Sequence, residues 1–435
     1  MLDVSARAVV RLAVPAALSV ILNNAFRVVD QHAAGWLGTA EQAAIGSTTF
    51  VLILAFAMWG LVGMGTGPVV ARTTGAGDLD GRRRIIGNAL SGATLVGGGV
   101  LGLGWLAAPA IAGALGLEGE VARLTVRYLR TLAVVGLPLA LAPVVDAAFI
   151  AMGRTALPMA LQGGATVLNI VLNVFFLRIM GLGIEGLALA SGLSRLLSVV
   201  VGVVALWWSV RPTLRDLVPD DALRRIQRVG SPIAANTAFY ALVYWALLNV
   251  AISPLGPSVN AALGIGFSAL EGFTWPLFHG LSLAVASLVG RALGAGRVDL
   301  ARRAVLLGVP LSTGAGLSAA AAFWFLAEPL CGLFTSDPAV LQQAVLYAQV
   351  LAFSQVFVAW EALGEGVLEG AGDTRAVFWL SSPLNLLRVP LAWAAAGPLG
   401  FGAAGIWWAI NLTTMAKALF KGVRVLRGRW ERVEI

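Results

Sequence analysis

One cysteine, two histidines and few charges set the first limits on this chain. Cys331 stands alone, so no intrachain disulfide can form. His32 and His279 lie far apart with no second Cys or His beside them, which leaves no ligand set for zinc or haem. Charged residues make up 12% of the 435 positions, against ~25% in a soluble globular protein. Together with 58% hydrophobic residues, that excludes a soluble enzyme and excludes disorder. A nucleophile–base pair, a metal cluster and an extramembrane domain are all missing, so an intramembrane enzyme is not expected either. The Gly-rich turns lack a Walker lysine, so neither a nucleotide site nor ATP drive is expected. A cleavable signal peptide is not visible: the first apolar run follows Arg7 and Arg11 and carries Asn23, Asn24 and Asp30.

What the chain has is long, continuous apolar runs, enough for twelve helices of ~20 residues each. The expected spans are 8–34, 43–70, 86–107, 124–151, 157–178, 184–208, 230–252, 260–290, 303–326, 340–369, 376–396 and 402–421. Runs of this kind indicate an all-α polytopic membrane protein and not a barrel. One set of connections is basic, with Arg82, Arg83, Arg84, Arg154, Arg224, Arg225, Arg302, Arg303 and Arg375. The alternate set is short and nearly free of Lys and Arg; Arg123, Arg127 and Arg130 at the start of span four are the exception. The net charge of +8 therefore reads as topology, not as a nucleic-acid footprint. A multi-pass protein of the inner membrane, with both termini cytoplasmic, is expected. Cys331 is expected in an outward-facing connection, open to an impermeant thiol reagent.

The two halves repeat in the same orientation. Arg72–Gly77 matches Arg291–Gly296 at an offset of 219, as do Asp80 and Asp299, Tyr128 and Tyr347, Asp146 and Glu365, and Gly153 and Gly372. Pro15 pairs with Pro232 after a two-residue gap. The expected organisation is a six-helix lobe at 1–208, a cytoplasmic linker at 209–229, a second lobe at 230–422 and a basic tail at 423–435. Parallel repeats of this type flank a central substrate path in transporters.

Several motifs in order resemble the multidrug and toxic compound extrusion (MATE) family over nearly the whole chain. They are Val29-Asp30 followed by Gly35-Trp36-Leu37-Gly38-Thr39, the two Gly-Ala-Gly turns, Gly370-Ala371-Gly372-Asp373-Thr374-Arg375, and Leu387-Arg388-Val389-Pro390. The resemblance implies two lobes in a V-shaped bundle, drug or toxic organic-cation substrates, and antiport with sodium ions or protons. It implies a membrane monomer that exports small, cationic or lipophilic compounds without a bound cofactor beyond the coupling cation. A lipid-linked oligosaccharide flippase of the same superfamily is the alternative, kept open by Arg27, Arg195 and Arg388.

Asp30 is the leading candidate for ion coupling, because a carboxylate in hydrocarbon is costly and the family carries a coupling carboxylate there. Asn169, Asn173 and Ser191 fall at a similar depth, and their oxygens suit a hard cation such as Na⁺ at Asp30 and Asn173, or a protonated carboxyl. Where the proton-coupled branch often has Asp, this chain has Asn173. Arg27 lies one turn before Asp30 and Arg195 lies in span six; both are expected to neutralise Asp30 or to snorkel. In the second half Glu271 and Glu361 are candidates, with Glu365 nearby. Tyr240 and Val358 hold the places where the sodium-coupled branch has acids. Arg388 is expected to pair with Glu361. Tyr240, Phe273, Trp275, Phe278, Phe357 and Trp360 are candidates for an aromatic substrate cavity, and Pro15 for a hinge in span one.

Overall fold

The computed structural model describes residues 3–435, and every regular element among them is helical. The first half contains α1 (Ala6–Ala34), α2 (Thr39–Ala76), α3 (Leu79–Ala114), α4 (Gly119–Val135), α5 (Leu137–Ala151), α6 (Ala156–Asn173) and α7 (Gly183–Val210). The second contains α8 (Asp221–Leu247), α9 (Pro257–Ile265), α10 (Gly272–Gly294), α11 (Val298–Phe325), the short α12 (Ala327–Gly332), α13 (Pro338–Ala352), α14 (Gln355–Ala371), α15 (Thr374–Ala396) and α16 (Gly402–Leu426). Eight helical stretches are long and apolar enough to cross a membrane alone, and two bent pairs raise the number to ten. Helices α15 and α16 complete a set of twelve. They fall short in apolarity because they carry Arg388, Lys417 and Lys421, all buried within the protein.

The repeat is visible in local geometry. Gly77 and Gly296 both adopt φ 70°, and Gly153 and Gly372 adopt φ 78° and 84°. These left-handed positions close helices and suit glycine, which has no Cβ to clash. Helix starts keep the same spacing, with α3 and α11 beginning at Leu79 and Val298, and α7 and α16 at Gly183 and Gly402. The fourth span of each half is broken at the equivalent point, by 51° between α4 and α5 and by 59° between α13 and α14. The continuous helices expected at 124–151 and 340–369 are therefore kinked. Pro138 opens α5, where its missing N–H is harmless and its fixed φ starts a new helix.

Two compact units emerge, Ser19–Ala234 and Met1–Leu18 with Ala235–Ile435. The division runs through α1 and α8, a few residues after Pro15 and Pro232, so each of these helices contributes to both units. Within the first unit α8 crosses α2 at paired glycines: a Cβ on Gly65 would lie 2.0 Å from the Ile226 carbonyl, and one on Gly230 would lie 2.3 Å from that of Leu61. Within the second, α1 crosses α10 where a Cβ on Gly280 would come within 2.5 Å of Ala17.

The connection at 209–229 is docked on α3. The Asn88 amide donates to the Asp216 carbonyl (3.0 Å) and accepts from the Asp220 N–H (2.8 Å), and Arg84 binds the Asp220 carboxylate at 2.5 Å. Cys331 lies in α12 with 0% exposure, so it offers no handle to a thiol reagent, contrary to expectation. The turn between spans nine and ten folds back as a helix and buries it among Ala327, Ala344 and Tyr347.

Candidate ion and substrate sites

The sequence-derived polar set of the first half converges on Asp30. Its Oδ1 accepts from the amides of Asn169 (2.9 Å) and Asn173 (3.2 Å), and its Oδ2 from the Ser191 hydroxyl (2.6 Å). Asn169 and Asn173 are four residues apart on α6, which puts both amides on one helix face; the Asn173 amide also donates to Asn169 Oδ1 at 3.1 Å. Right after Asn173 the backbone widens into a π-turn, Val174–Ile179, a distortion often found at functional positions. Asn173 Oδ1 is buried and has no hydrogen-bond partner in this arrangement. These three donors offset part of the cost of placing a carboxylate at this depth.

Neither arginine neutralises Asp30 directly. Arg27 is exposed and forms no ion pair among the described residues, so of the two expected roles an Arg27–Asp30 pair is not present, whereas an outward-reaching side chain is compatible with snorkelling. Residue 27 follows Phe26, which is buried, and the helix turns its side chain away from the polar set. Arg195, at 5% exposure, is bound to the Gln162 side-chain oxygen and to Asn23 Oδ1 (2.6 Å), and its guanidinium lies 4.1 Å from the centre of the Phe26 ring. Gln162 in turn donates to Asp146 Oδ2 at 2.6 Å. The carboxylate linked to Arg195 is thus Asp146, through a glutamine. Sequence reasoning missed Asn23, Gln162 and Asp146, although the Asp146–Glu365 match at the repeat offset was a signal for the last.

In the second unit the carboxylates are distributed differently from expectation. Glu271 accepts from the Tyr347 hydroxyl at 2.5 Å, and the Tyr347 ring fits only because residue 266 is glycine, whose Cβ would lie 2.2 Å from it. Glu361 binds Lys417 (2.9 Å) and Lys421 (3.1 Å), and Lys421 also binds Glu365 (2.7 Å). The expected Glu361–Arg388 pair does not form. Arg388, at 1% exposure, donates to Thr413 (3.0 Å), Tyr244 (3.0 Å) and Thr414 (3.1 Å). The reason is helix phase: Lys417 and Lys421 occupy the face of α16 that meets α14, and they reach Glu361 first. In the sequence Lys421 reads as the start of the basic tail and Lys417 carries no motif or repeat match, so neither pointed to Glu361.

The aromatic candidates do not form one cavity. Tyr240 stacks near Tyr244, with ring centres 4.6 Å apart, and Tyr244 meets Phe267 at 5.4 Å beside Arg388. Trp275 stacks on His279, while Phe273 is 64% exposed. Phe278 is core, packed with Ala319 and Ala359, and Phe357 and Trp360 form a separate pair held to α11 through Thr313. Among the described residues no group of three or more His, Cys, Asp or Glu side chains is arranged to hold a metal ion.

A family model described as MatE matches residues 15–175 and 232–394. A probable multidrug resistance protein NorM from Thermotoga maritima is 24% identical over 433 residues, covering 97% of this chain and 92% of the relative. A multidrug resistance protein MdtK from Cronobacter sakazakii is 25% identical over 456 residues, covering 98% and 96%. A crystal structure of MATE in complex with MaL6 superposes with a TM-score of 0.91 at 22% identity, covering 98% of this chain and 97% of that one, a likeness of fold.

Proposed function

We infer, for a chain that belongs to the MatE family, that it is a secondary-active exporter of small organic, cationic or lipophilic compounds, driven by inward flow of sodium ions or protons. The same reading makes it a monomer in the inner membrane and a transporter, not an enzyme. NorM and MdtK relatives that are near full length support multidrug export. The observation that carries the coupling part is the arrangement at Asp30. Its two oxygens are held by three neutral donors, while Asn173 Oδ1 remains an unused acceptor on the adjoining amide. An added proton on Asp30 turns one carboxylate oxygen into a donor, and Asn173 Oδ1 is the acceptor at hand. A sodium ion would find carboxylate, amide and hydroxyl oxygens in the same set after the amides turn. Either way, binding a positive charge removes the need for the amide donors and loosens α1 from α6 and α7. Pro15 interrupts the hydrogen-bond ladder of α1 and gives that helix a point of bending.

Of the three arginines that kept the flippase alternative open, Arg27 alone is exposed and unpaired among the described residues. Arg195 and Arg388 are engaged inside their own units and are not free for an anionic headgroup. The test is efflux of ethidium from proteoliposomes under a sodium gradient alone and under a proton gradient alone. Efflux under one of them, lost in Asp30→Asn, is the expected result. Equal efflux with no gradient of either ion would refute antiport.

A further inference from the structure

We propose that the seam between α14 and α16 holds one exchangeable proton, shared by Glu365 and Glu369 and reached from the basic end of the protein. The inference goes beyond the coupling assigned to Asp30 and stands whether or not the chain exports drugs.

Carboxylates recur at four-residue spacing on one face of α14: Glu361, Glu365 and Glu369, with Asp373 one turn farther, just past the helix end. At 1.5 Å per residue, Glu361 to Glu369 covers ~12 Å, a large part of one leaflet. Opposite stand Lys417, Lys421 and Arg424 of α16. Arg424 and Asp373 form a closed pair at 2.7 Å. Lys417 and Lys421 neutralise two of the remaining three carboxylates, through contacts of 2.7–3.1 Å. Lys421 is wholly buried and Lys417 is 7% exposed, so these pairs are poorly screened by solvent.

One carboxylate is left over, and other neighbours do not change the balance. From α15 comes Arg388, which donates to Thr413, Tyr244 and Thr414 and forms no ion pair with a seam carboxylate among the described residues. From α10 come His279, stacked on Trp275, and Arg291, bonded to the Ser287 carbonyl. From α11 comes Arg302, bound to Glu431. Glu369 itself has no ion-pair partner among the described residues. In a low-dielectric seam an unpaired negative charge is costly, and the inexpensive remedy is a proton. Glu365 shares Lys421 with Glu361, whereas Glu361 has two lysines, so the proton belongs on Glu365 or Glu369 and not on Glu361. Chains of ionisable side chains of this kind are how proton relays cross membranes. In the first unit Asp146 matches Glu365, but the positions matching Glu361, Glu369, Lys417 and Lys421 are Ala142, Ile150, Ser198 and Gly202, so the charged seam itself is not repeated.

The test uses the full-length protein in detergent and dicyclohexylcarbodiimide, which reacts with protonated carboxyls in apolar surroundings, with the adducts mapped by peptide mass spectrometry from pH 5 to 9. One adduct in the seam per molecule, on Glu365 or Glu369 and fading as pH rises, is expected. Glu369→Gln balances the seam, so labelling at Glu365 should also fall at least tenfold. Lys421→Met leaves a second carboxylate in excess and should add a second adduct. No seam labelling in the unaltered protein would overturn the proposal. So would undiminished labelling of Glu365 in Glu369→Gln, or unchanged labelling in Lys421→Met. Should Lys421→Met fail to fold, Lys417→Met makes the same charge change and is read the same way.

Discussion

Two arginines near Asp30 have opposite surroundings, and their substitutions should behave accordingly. Arg27 is exposed and unpaired among the described residues, so Arg27→Ala should change thermal stability by no more than ~0.5 kcal/mol. Arg195 is buried and holds Gln162 and Asn23. Arg195→Ala strips both amides of a charged donor and should cost about 2–3 kcal/mol. Detergent melting of the two variants checks this; equal costs would show that Arg195 is not the structural cation. Asp30→Asn keeps size and hydrogen bonding but loses the exchangeable charge. It should lower ion-driven ethidium efflux at least tenfold with unchanged amounts of folded protein, as measured by transport and size-exclusion chromatography on the same preparation. The cluster around Asp30 was legible in the sequence because polar residues stand out at matched depths in apolar helices. Which of its two expected roles Arg27 takes was not legible, because a spacing of three residues allows a contact with Asp30 but does not compel one. The Lys417 and Lys421 staples were not legible, since pairing across helices depends on rotation about each axis, and apolar runs do not specify that.

At the scale of elements, the glycine crossings are the strongest structural demand. Gly65→Ala places a methyl group 2.0 Å from the Ile226 carbonyl, and neither backbone can yield without separating α2 from α8. Gly98→Ala meets nothing within 4 Å. Gly65→Ala should therefore abolish folded protein or lower stability by about 3 kcal/mol, while Gly98→Ala should be neutral or slightly stabilising. Comparable melting curves would contradict the close crossing. The linker at 209–229 shows a second demand. Partial burial pushes the Asp220 carboxyl up, but the Arg84 guanidinium and the Ala222 N–H outweigh it and hold the group below the usual carboxylate range. Its contribution is complete above the ordinary carboxylate value and is lost as pH falls through the lowered one. Hydrogen exchange across 214–222 should stay slow near neutral pH and quicken only in strong acid. Asp220→Asn should quicken it at neutral pH, with a cost of about 1 kcal/mol at most for so exposed a pair. Span number and the repeat were readable from composition and offset, whereas the kinks in the fourth spans were not. An apolar run looks the same whether its helix is straight or bent by 51°.

At the scale of the whole molecule, the repeat and the charge bias of the connections make one joint demand on orientation. A repeat that spans an even number of helices returns each half to the same side, so the turns holding Asp80 and Asp299 share one face. Those turns are the Arg-rich ones, and Lys and Arg are retained on the cytoplasmic side. On that ground we propose that both termini lie there as well. The basic start of α4 remains the one exception to the charge bias: Arg123 pairs with Glu120 and Arg127 with Glu185, and Arg130 lies over the Trp105 ring. The native cysteine cannot report orientation, being fully buried, but for the same reason it gives no background. Single cysteines placed at exposed positions can report it: Asp80→Cys on the basic side, where the native side chain is 92% exposed, and Glu118→Cys on the other. In intact cells an impermeant maleimide should label Glu118→Cys and spare Asp80→Cys until the membrane is opened, and the unaltered protein should stay unlabelled throughout. The reverse pattern would invert the topology and would carry the α14–α16 seam with it, so that its proton entry would face the exterior.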